Sequence, residues 1–318
     1  MTSYVALCGG VGGAKLAYGL AQLLAPHELA LVVNTADDFD HCGLRICPDL
    51  DSVLYTLSGK ANRTHGWGRE AESFGVLEEL GRLGGETWFQ LGDRDLALHL
   101  LRRQLLDQGA SLTAATRELA ARFGVRHAIL PMSDAPVATF VDTTEGELAF
   151  QEYFVRRRCE PRVKGFRFAG AAGAAPSPQV EAALSDPGLR GIVICPSNPY
   201  VSVAPILAIE GIRRRLVSAQ VPILAVSPIV AGRAIKGPAA KMMAELNSPV
   251  SGSALARHYG PLIDAMVLDE QDRDLLGERR DDDPRLLVAQ TVMRTPEDRV
   301  ALARDCLRFL DDLDRPEV

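Results

Sequence analysis

The sequence predicts an α/β fold with a doubly wound, mostly parallel, Rossmann-like sheet and an inserted smaller helical and β subregion. Short apolar runs without polar alternation recur along the chain, which is typical of strands covered by helices on both faces. Amphipathic helical stretches lie between these runs. A glycine-rich turn joins the first run to the first helical stretch. With 318 residues, we expect one domain spanning residues 1–318, with the insertion at about residues 135–180.

Each predicted element follows from its own apolar pattern. The six runs that predict parallel strands are residues 4–7, 29–34, 128–132, 191–195, 221–227 and 265–268. Apolar residues at helical spacing predict helices around residues 16–24, 112–123, 203–216 and 296–310, the last with Pro296 in its first turn. The charged residues 278–284 predict a surface loop.

Composition excludes several classes of protein. Apolar residues make up 47% of the chain, which is enough for a sizeable core and excludes a mainly disordered state. The formal charge of −6 argues against a nucleic-acid partner. We expect no association with a membrane, because no apolar run has the length of a span. The six cysteines show no C-x-x-C spacing, so we expect reduced thiols and a cytoplasmic location.

The glycine-rich turn over residues 9–15 predicts a phosphate site. It follows the first strand and begins the first helix, where Gly10, Gly12 and Gly13 let the backbone approach a ligand. Lys15 adds a positive charge there. The pattern is neither the dinucleotide fingerprint nor a Walker A loop. The alternative is a tight turn between strand and helix that binds no ligand.

An acidic cluster follows the second predicted strand. Five aspartates fall between residues 37 and 51, at the carboxyl edge where ligands of open parallel sheets bind. The negative charges of such a cluster would repel one another and would also repel a diphosphate. A bound Mg²⁺ would offset both repulsions. We expect Asp37 and Asp49 to bind the metal or position a hydroxyl, with Asp38 and Asp51 as substitutes. The alternative for a single aspartate such as Asp51 is a helix cap.

Three later segments supply further candidates. Ser197 and Asn198 follow a predicted strand and suit contacts to a nucleotide, although a Pro-bounded turn is the alternative. Lys236 is a candidate for phosphate binding, or else a solvated lysine. Arg94, near the start of a predicted helix, can bind phosphate or a planar polar ring, or form an ion pair with a nearby aspartate.

Together these segments resemble the 2-phospho-L-lactate transferase family of deazaflavin coenzyme F-420 biosynthesis. They occur in order along about three quarters of the chain, and no single one would suffice. The segments that carry the resemblance are GGVGGAK (9–15), NTADD (34–38), ICPDLDSVLYTL (46–57), LGDRD (91–95), CPSNP (195–199), SPIV (227–230) and IKGP (235–238).

The resemblance implies a magnesium-dependent transfer. A GDP-linked three-carbon acid donates its acid-bearing phosphate to the ribityl hydroxyl of the deazaflavin Fo, and GMP leaves. It also implies a homodimer, and it implies that Asp49 and Arg94 bind Fo. The glycine turn and the acidic cluster agree with such a transfer, because phosphoryl transfer needs positioning and charge neutralisation more than a covalent nucleophile. Asp37 and Asp49 are the predicted catalytic carboxylates, one of which accepts the proton of the hydroxyl.

Two rival functions remain open at this stage. A related branch with a similar glycine turn resembles regulatory proteins that bind nucleotide sugars without catalysis. Against it stand the segments around Asp49 and Arg94, which the transferase branch carries. An NAD-dependent oxidoreductase is disfavoured by the broken glycine fingerprint. The sequence does not choose among donors derived from phospholactate, phosphoenolpyruvate or phosphoglycerate.

Overall fold

A computed structural model describes residues 1–62 and 68–313 of the chain. Its helices are α1 (Gly10–Leu23), α2 (Pro48–Leu57), α3 (Gly75–Arg82), α4 (Asp93–Asp107), α5 (Leu112–Arg122), α6 (Pro178–Leu184), α7 (Ala204–Leu207), α8 (Glu210–Val217), α9 (Ala239–Glu245), α10 (Gly252–Tyr259) and α11 (Pro296–Asp311). Its strands are β1 (Tyr4–Cys8), β2 (Leu29–Val33), β3 (Phe39–His41), β4 (Leu44–Ile46), β5 (Ala128–Pro131), β6 (Ala138–Thr143), β7 (Gly146–Ala149), β8 (Val163–Ala169), β9 (Gly191–Ile194), β10 (Ile223–Val226), β11 (Ile229–Val230), β12 (Arg233–Ala234), β13 (Ala265–Asp269) and β14 (Arg285–Ala289).

A seven-stranded sheet in the order β14-β13-β10-β9-β1-β2-β5 forms the centre of the molecule. Every strand pairs with its neighbours in parallel. The chain builds outward from β1 through β2 to β5, and then returns to the other side of β1 with β9. The order therefore reverses between β1 and β9, and the carboxyl ends of these strands open the crevice where such sheets bind ligands.

Both faces of the sheet are buried, which explains the apolar strand sequences. In β1, Val5 and Leu7 pack into one hydrophobic cluster, whereas Ala6 and Cys8 pack into another on the opposite face. Alternate residues thus enter different cores, and none of them faces water. The predicted fold class is confirmed.

All six predicted strands are present, and the sheet has one more. β14 lies at the edge of the sheet and is only partly buried; it was not predicted, although residues 286–289 also form a short apolar run. The predicted helix over residues 203–216 is interrupted. α7 ends at Leu207 and α8 begins at Glu210, because Ile209 between them has an extended backbone and a fully buried side chain.

Outside the central sheet, an antiparallel three-stranded sheet in the order β7-β6-β8 lies within the region expected to form the insertion. The boundaries of the insertion and the count of one domain stay predictions. A short hairpin of β3 and β4 follows β2 and leads into α2. Among the described residues, no helix is both long enough and apolar enough to cross a membrane.

Candidate active site

The candidate site lies at the carboxyl ends of β1, β2 and β9. Gly9 and Gly10 follow β1, residues 34–38 follow β2, and residues 195–198 follow β9. The fourth contributor is the first turn of α2, which the β3–β4 hairpin returns to the same edge. The sheet thus brings together most of the segments that carry the resemblance.

Asp49 connects three of these segments. Its Oδ1 accepts a hydrogen bond of 2.7 Å from the backbone N–H of Gly10, and its Oδ2 accepts one of 3.0 Å from the side-chain amide of Asn34. The carboxylate therefore satisfies a free N–H at the positive end of α1. Burial nevertheless raises the pKa of Asp49 to about 6, although both hydrogen bonds lower it.

Asp37 lies beside Asp49 and is also buried. Burial raises the pKa of Asp37 well above its ordinary value, and the nearby charges of Asp49 and Asp38 raise it further. The Oδ1 atom of Asp37 has no hydrogen-bond partner among the described residues. Its backbone carbonyl accepts a hydrogen bond of 2.9 Å from Gln151, which joins the acidic loop to the region of the insertion. The result is a pair of buried carboxylates that costs free energy to ionise.

Asp38 points away from this pair toward the hairpin. The guanidinium of Arg45 lies 3.9 Å from its carboxylate. Burial raises the pKa of Asp38 to about 7, which the charge of Arg45 only partly offsets. Both carboxylate oxygens are without hydrogen-bond partners in the part of the chain that the structure describes.

The pair formed by Asp37 and Asp49 fits a divalent cation. An unpartnered carboxylate oxygen and two raised pKa values are what a missing positive charge would produce. Among the described residues, no group of three or more acidic, histidine or cysteine side chains forms a complete metal site. Mg²⁺ is commonly held by one or two carboxylates together with substrate phosphate oxygens. Metal binding by Asp37 and Asp49 stays a prediction.

The glycines of the turn serve different purposes. A Cβ atom at Gly12 would lie 2.2 Å from the carbonyl oxygen of Pro196, and one at Gly13 would lie 2.6 Å from Oγ of Ser197. These two glycines therefore allow α1 to approach the loop after β9. Gly10 has a φ of +63°, and no atom from another part of the described chain lies within 4 Å of the position that its Cβ would take. Of these three glycines, Gly10 alone leaves room for a ligand at that position, and the phosphate role of all three stays a prediction.

Ser197 and Asn198 both lie at the site and hold its backbone. The hydroxyl of Ser197 donates to the carbonyl of Gly9 at 2.8 Å and accepts from the N–H of Gly9 at 3.1 Å. The side-chain oxygen of Asn198 accepts from the N–H of Tyr200 at 3.0 Å. These contacts are those of a Pro-bounded turn fastened to the glycine turn. Contact of either side chain with a nucleotide stays a prediction.

Lys15 and Lys236 belong to one cationic group. The ammonium of Lys15 donates to the carbonyl of Met293 at 2.8 Å, which turns it toward the chain that precedes α11. Burial lowers the pKa of Lys15, and the charges of Arg299 and Lys236 lower it further. Arg299 was not among the predicted site residues, since nothing in the pattern of the last helix distinguishes it from other surface arginines. Phosphate binding by Lys15 and Lys236 stays a prediction.

Arg94 lies apart from Asp49. The hydroxyl of Tyr55 donates to Asp95 near the start of α4, whereas Asp51 binds Arg102 farther along α4. The two helices therefore run antiparallel, and Arg94 lies beside the end of α2 that is remote from Asp49. Asp49 and Tyr55 alone are separated by about 9 Å along the helix axis. Arg94 is exposed and forms no ion pair with the described residues, so the alternative of a pairing with an aspartate is not found there. Binding of Fo by Arg94 stays a prediction.

A buried polar network between α2 and α4 was not predicted. Asp51 accepts two hydrogen bonds from the guanidinium of Arg102, which is almost completely buried. Arg102 also contacts Nδ1 of His99 at 3.1 Å and the carbonyl of Arg45 at 3.4 Å. Asp51 is therefore an ion-pair partner and not a helix cap. The helical spacing of Asp95, His99 and Arg102 on one face of α4 was the signal for it.

Comparisons with known sequences find transferases. Residues 4–298 match the family model described as 2-phospho-L-lactate transferase CofD. The 2-phospho-L-lactate transferase of Methanosarcina mazei is 41% identical over 83% of this chain and 86% of its own. The phosphoenolpyruvate transferase of Streptomyces griseus is 39% identical over 97% of this chain and 98% of its own.

A comparison with solved structures finds the same fold in a distant protein. A member of the UPF0052 family from Bacillus halodurans superposes with a TM-score of 0.56 at 18% identity. The match covers 91% of this chain and 88% of the other. At this identity the likeness concerns the fold alone.

Proposed function

Because the chain belongs to the 2-phospho-L-lactate transferase CofD family, we propose that it makes the phosphodiester of coenzyme F-420. The transferred group is a phospho-three-carbon acid of the phospholactate, phosphoenolpyruvate or phosphoglycerate type. The donor is its GDP-linked form, the acceptor is the ribityl hydroxyl of the deazaflavin Fo, and GMP is released. The observation that carries this proposal is the buried Asp37–Asp49 pair beside the open turn at Gly10.

The reaction exchanges one phosphorus–oxygen bond for another. The acceptor hydroxyl forms a bond to the phosphorus that bears the acid, and the anhydride bond from that phosphorus to the bridging oxygen breaks. GMP leaves with the bridging oxygen, and the hydroxyl proton passes to the carboxylate pair. In the metal-free protein the pKa of Asp49 is raised by burial to about 6, so this carboxyl is largely ionised near neutral pH.

The residues of the site divide the remaining tasks. Bound by Asp37 and Asp49 together with donor phosphate oxygens, Mg²⁺ would supply charge neutralisation. Lys15 and Lys236 add positive charge, and the turn at Gly10 leaves room for phosphate. Ser197 and Asn198 hold the loop that faces the nucleotide. We also propose a homodimer and a cytoplasmic location, as the resemblance implies.

The acceptor is long enough to contact both predicted Fo residues. Asp49 and Arg94 lie toward opposite ends of α2, so no small group touches both. Fo carries a planar tricyclic ring at one end and an extended ribityl chain at the other. We place the terminal hydroxyl at Asp49 and the ring toward Arg94, whose guanidinium can stack on or hydrogen-bond to a polar ring.

A transfer assay tests the proposal. The protein is incubated with Mg²⁺, Fo and each GDP-linked three-carbon acid, and mass spectrometry follows GMP and the phosphodiester. We expect turnover with one of the acids. Asp49→Asn should lower the rate by at least about 100-fold, the lower range for removal of a general base, with an unchanged circular dichroism spectrum. The control is Asp40→Asn in β3 of the preceding hairpin, where the side chain is 72% exposed. Tight binding of a nucleotide sugar without any turnover would contradict the proposal and favour a regulatory protein.

A further inference from the structure

An exposed arm leads into the helix that carries Arg94. We define the arm as residues 68–92, which contain α3 and end at the start of α4. α3 has no buried residue; Val76 within it and Phe74 just before it are both exposed. Packing therefore holds α3 weakly, whereas Trp88 and Phe89 at the other end of the arm pack against Phe39 and His41. The position of α3 must depend mainly on its polar contacts.

A carboxylate from α4 caps the helix of the arm. Asp93, the first residue of α4, accepts hydrogen bonds of 3.0 Å from the backbone N–H groups of Gly75 and Val76. It also accepts one of 2.7 Å from the hydroxyl of Ser73. These N–H groups belong to the first turn of α3, where a helix has no partners of its own for them.

A carboxylate from the arm caps α4 in return. Glu72 accepts hydrogen bonds of 2.8 Å from the backbone N–H groups of Arg94 and Asp95, one with each carboxylate oxygen. Gly92 makes this approach possible, since a Cβ atom there would lie 2.3 Å from the carboxyl carbon of Glu72. The two helices thus cap each other through Glu72 and Asp93, an arrangement that we call the reciprocal cap.

We propose that Glu72 is a positioning residue for the acceptor site, because its carboxylate fixes the backbone of Arg94 at the start of α4. This inference rests on the proposed function, in which Arg94 contacts Fo. Glu72 acts through the helix terminus and does not itself touch the acceptor. Three residues of the LGDRD segment then have separate roles. Gly92 leaves space for the carboxylate of Glu72, Asp93 caps α3, and Arg94 faces outward to the acceptor.

Substitution of Glu72 separates positioning from general stability. Glu72→Ala removes both hydrogen bonds and should raise the KM for Fo about tenfold, the size that loss of a helix cap typically has. The KM for the donor should stay unchanged. Glu72→Gln keeps one acceptor oxygen, so its effect should be smaller and in the same direction. The matched control is Glu78→Ala, an exposed glutamate on α3.

A double-mutant cycle tests whether Glu72 acts through Arg94. If it does, Glu72→Ala adds little to the rise in KM that Arg94→Ala causes alone, because the two changes remove one contact. Additive effects in the cycle, or an unchanged KM for Fo in Glu72→Ala, would overturn the proposal.

Hydrogen exchange supplies a readout that does not depend on turnover. The amides of Arg94 and Asp95 should exchange at least about tenfold faster in Glu72→Ala than in the unsubstituted protein or in Glu78→Ala. Unchanged exchange would overturn the reciprocal cap even in an active enzyme. Failure of the unsubstituted protein to modify Fo is the separate result that would overturn the proposed function.

Discussion

Asp38→Asn should change the stability of the metal-free protein in a way that depends on pH. Burial raises the pKa of Asp38 to about 7, well above that of an aspartate in an unfolded chain. Between pH 5 and pH 7 the folded protein therefore holds a proton that the unfolded chain has released. The free energy of unfolding falls with rising pH across this window, since the folded state binds more protons.

The expected size follows from the width of that window. Two pH units with one extra proton in the folded state correspond to about 3 kcal/mol. Asp38 thus costs the folded protein about 3 kcal/mol more at pH 8 than at pH 5. Asparagine has nearly the same shape and no charge, so Asp38→Asn removes this loss. Any hydrogen bond that the amide fails to make lowers stability at both pH values alike.

Urea unfolding in the presence of EDTA measures the effect. The free energy of unfolding is determined for the unsubstituted protein and for Asp38→Asn at pH 5 and pH 8. We expect the difference between the two proteins to shift by about 3 kcal/mol in favour of the variant at pH 8. Asp40→Asn in the same loop is exposed and should show no such shift. An equal difference at both pH values for Asp38→Asn would show that Asp38 does not titrate with a raised pKa in the folded protein.

Two further substitutions test the packing around the site. Gly12→Ala places a Cβ atom 2.2 Å from the carbonyl oxygen of Pro196 and should lower the free energy of unfolding by about 1–3 kcal/mol. Gly173→Ala, with open space at its Cβ position, is the control. Equal urea midpoints for the two variants would contradict this prediction. Arg102→Leu leaves the buried Asp51 without its partner and should cost about 3–5 kcal/mol in urea unfolding. Arg103→Leu next to it, half exposed, should cost far less, and similar losses in both variants would show that Arg102 is not specially buried.

The inner sheet was predictable because its strands are buried on both faces. The five inner strands read as continuous apolar runs, and so does β5 at one edge, so six strands and their parallel arrangement followed from the sequence. β14 was not predicted, although its residues 286–289 form a short apolar run as well. The rule that ligands meet the carboxyl ends of strands predicted the acidic loop after β2 beside the glycine turn. In the structure Asp49, from the acidic group that follows this loop, accepts a hydrogen bond from Gly10.

The directions of individual side chains were not predictable. Lys15 follows the glycine turn in sequence, yet its ammonium binds the carbonyl of Met293, which comes from the far end of the chain. Gly12 and Gly13 make room for another loop of the protein, and a glycine pattern does not distinguish that use from ligand binding. Arg94 and Asp49 both lie in segments that carry the family resemblance, but the antiparallel packing of α2 and α4 separates them. Each of these outcomes depends on which elements pack together.

Crystals grown with Mn²⁺ and GDP measure most directly whether Asp37 and Asp49 hold a metal ion beside the turn at Gly10. The anomalous signal of the metal should lie about 2.1 Å from carboxylate oxygens of Asp37 and Asp49. The diphosphate of the nucleotide should reach the same ion, with its other oxygens toward the turn at Gly10. A metal and nucleotide bound elsewhere, with both carboxylates still free of metal, would contradict the account.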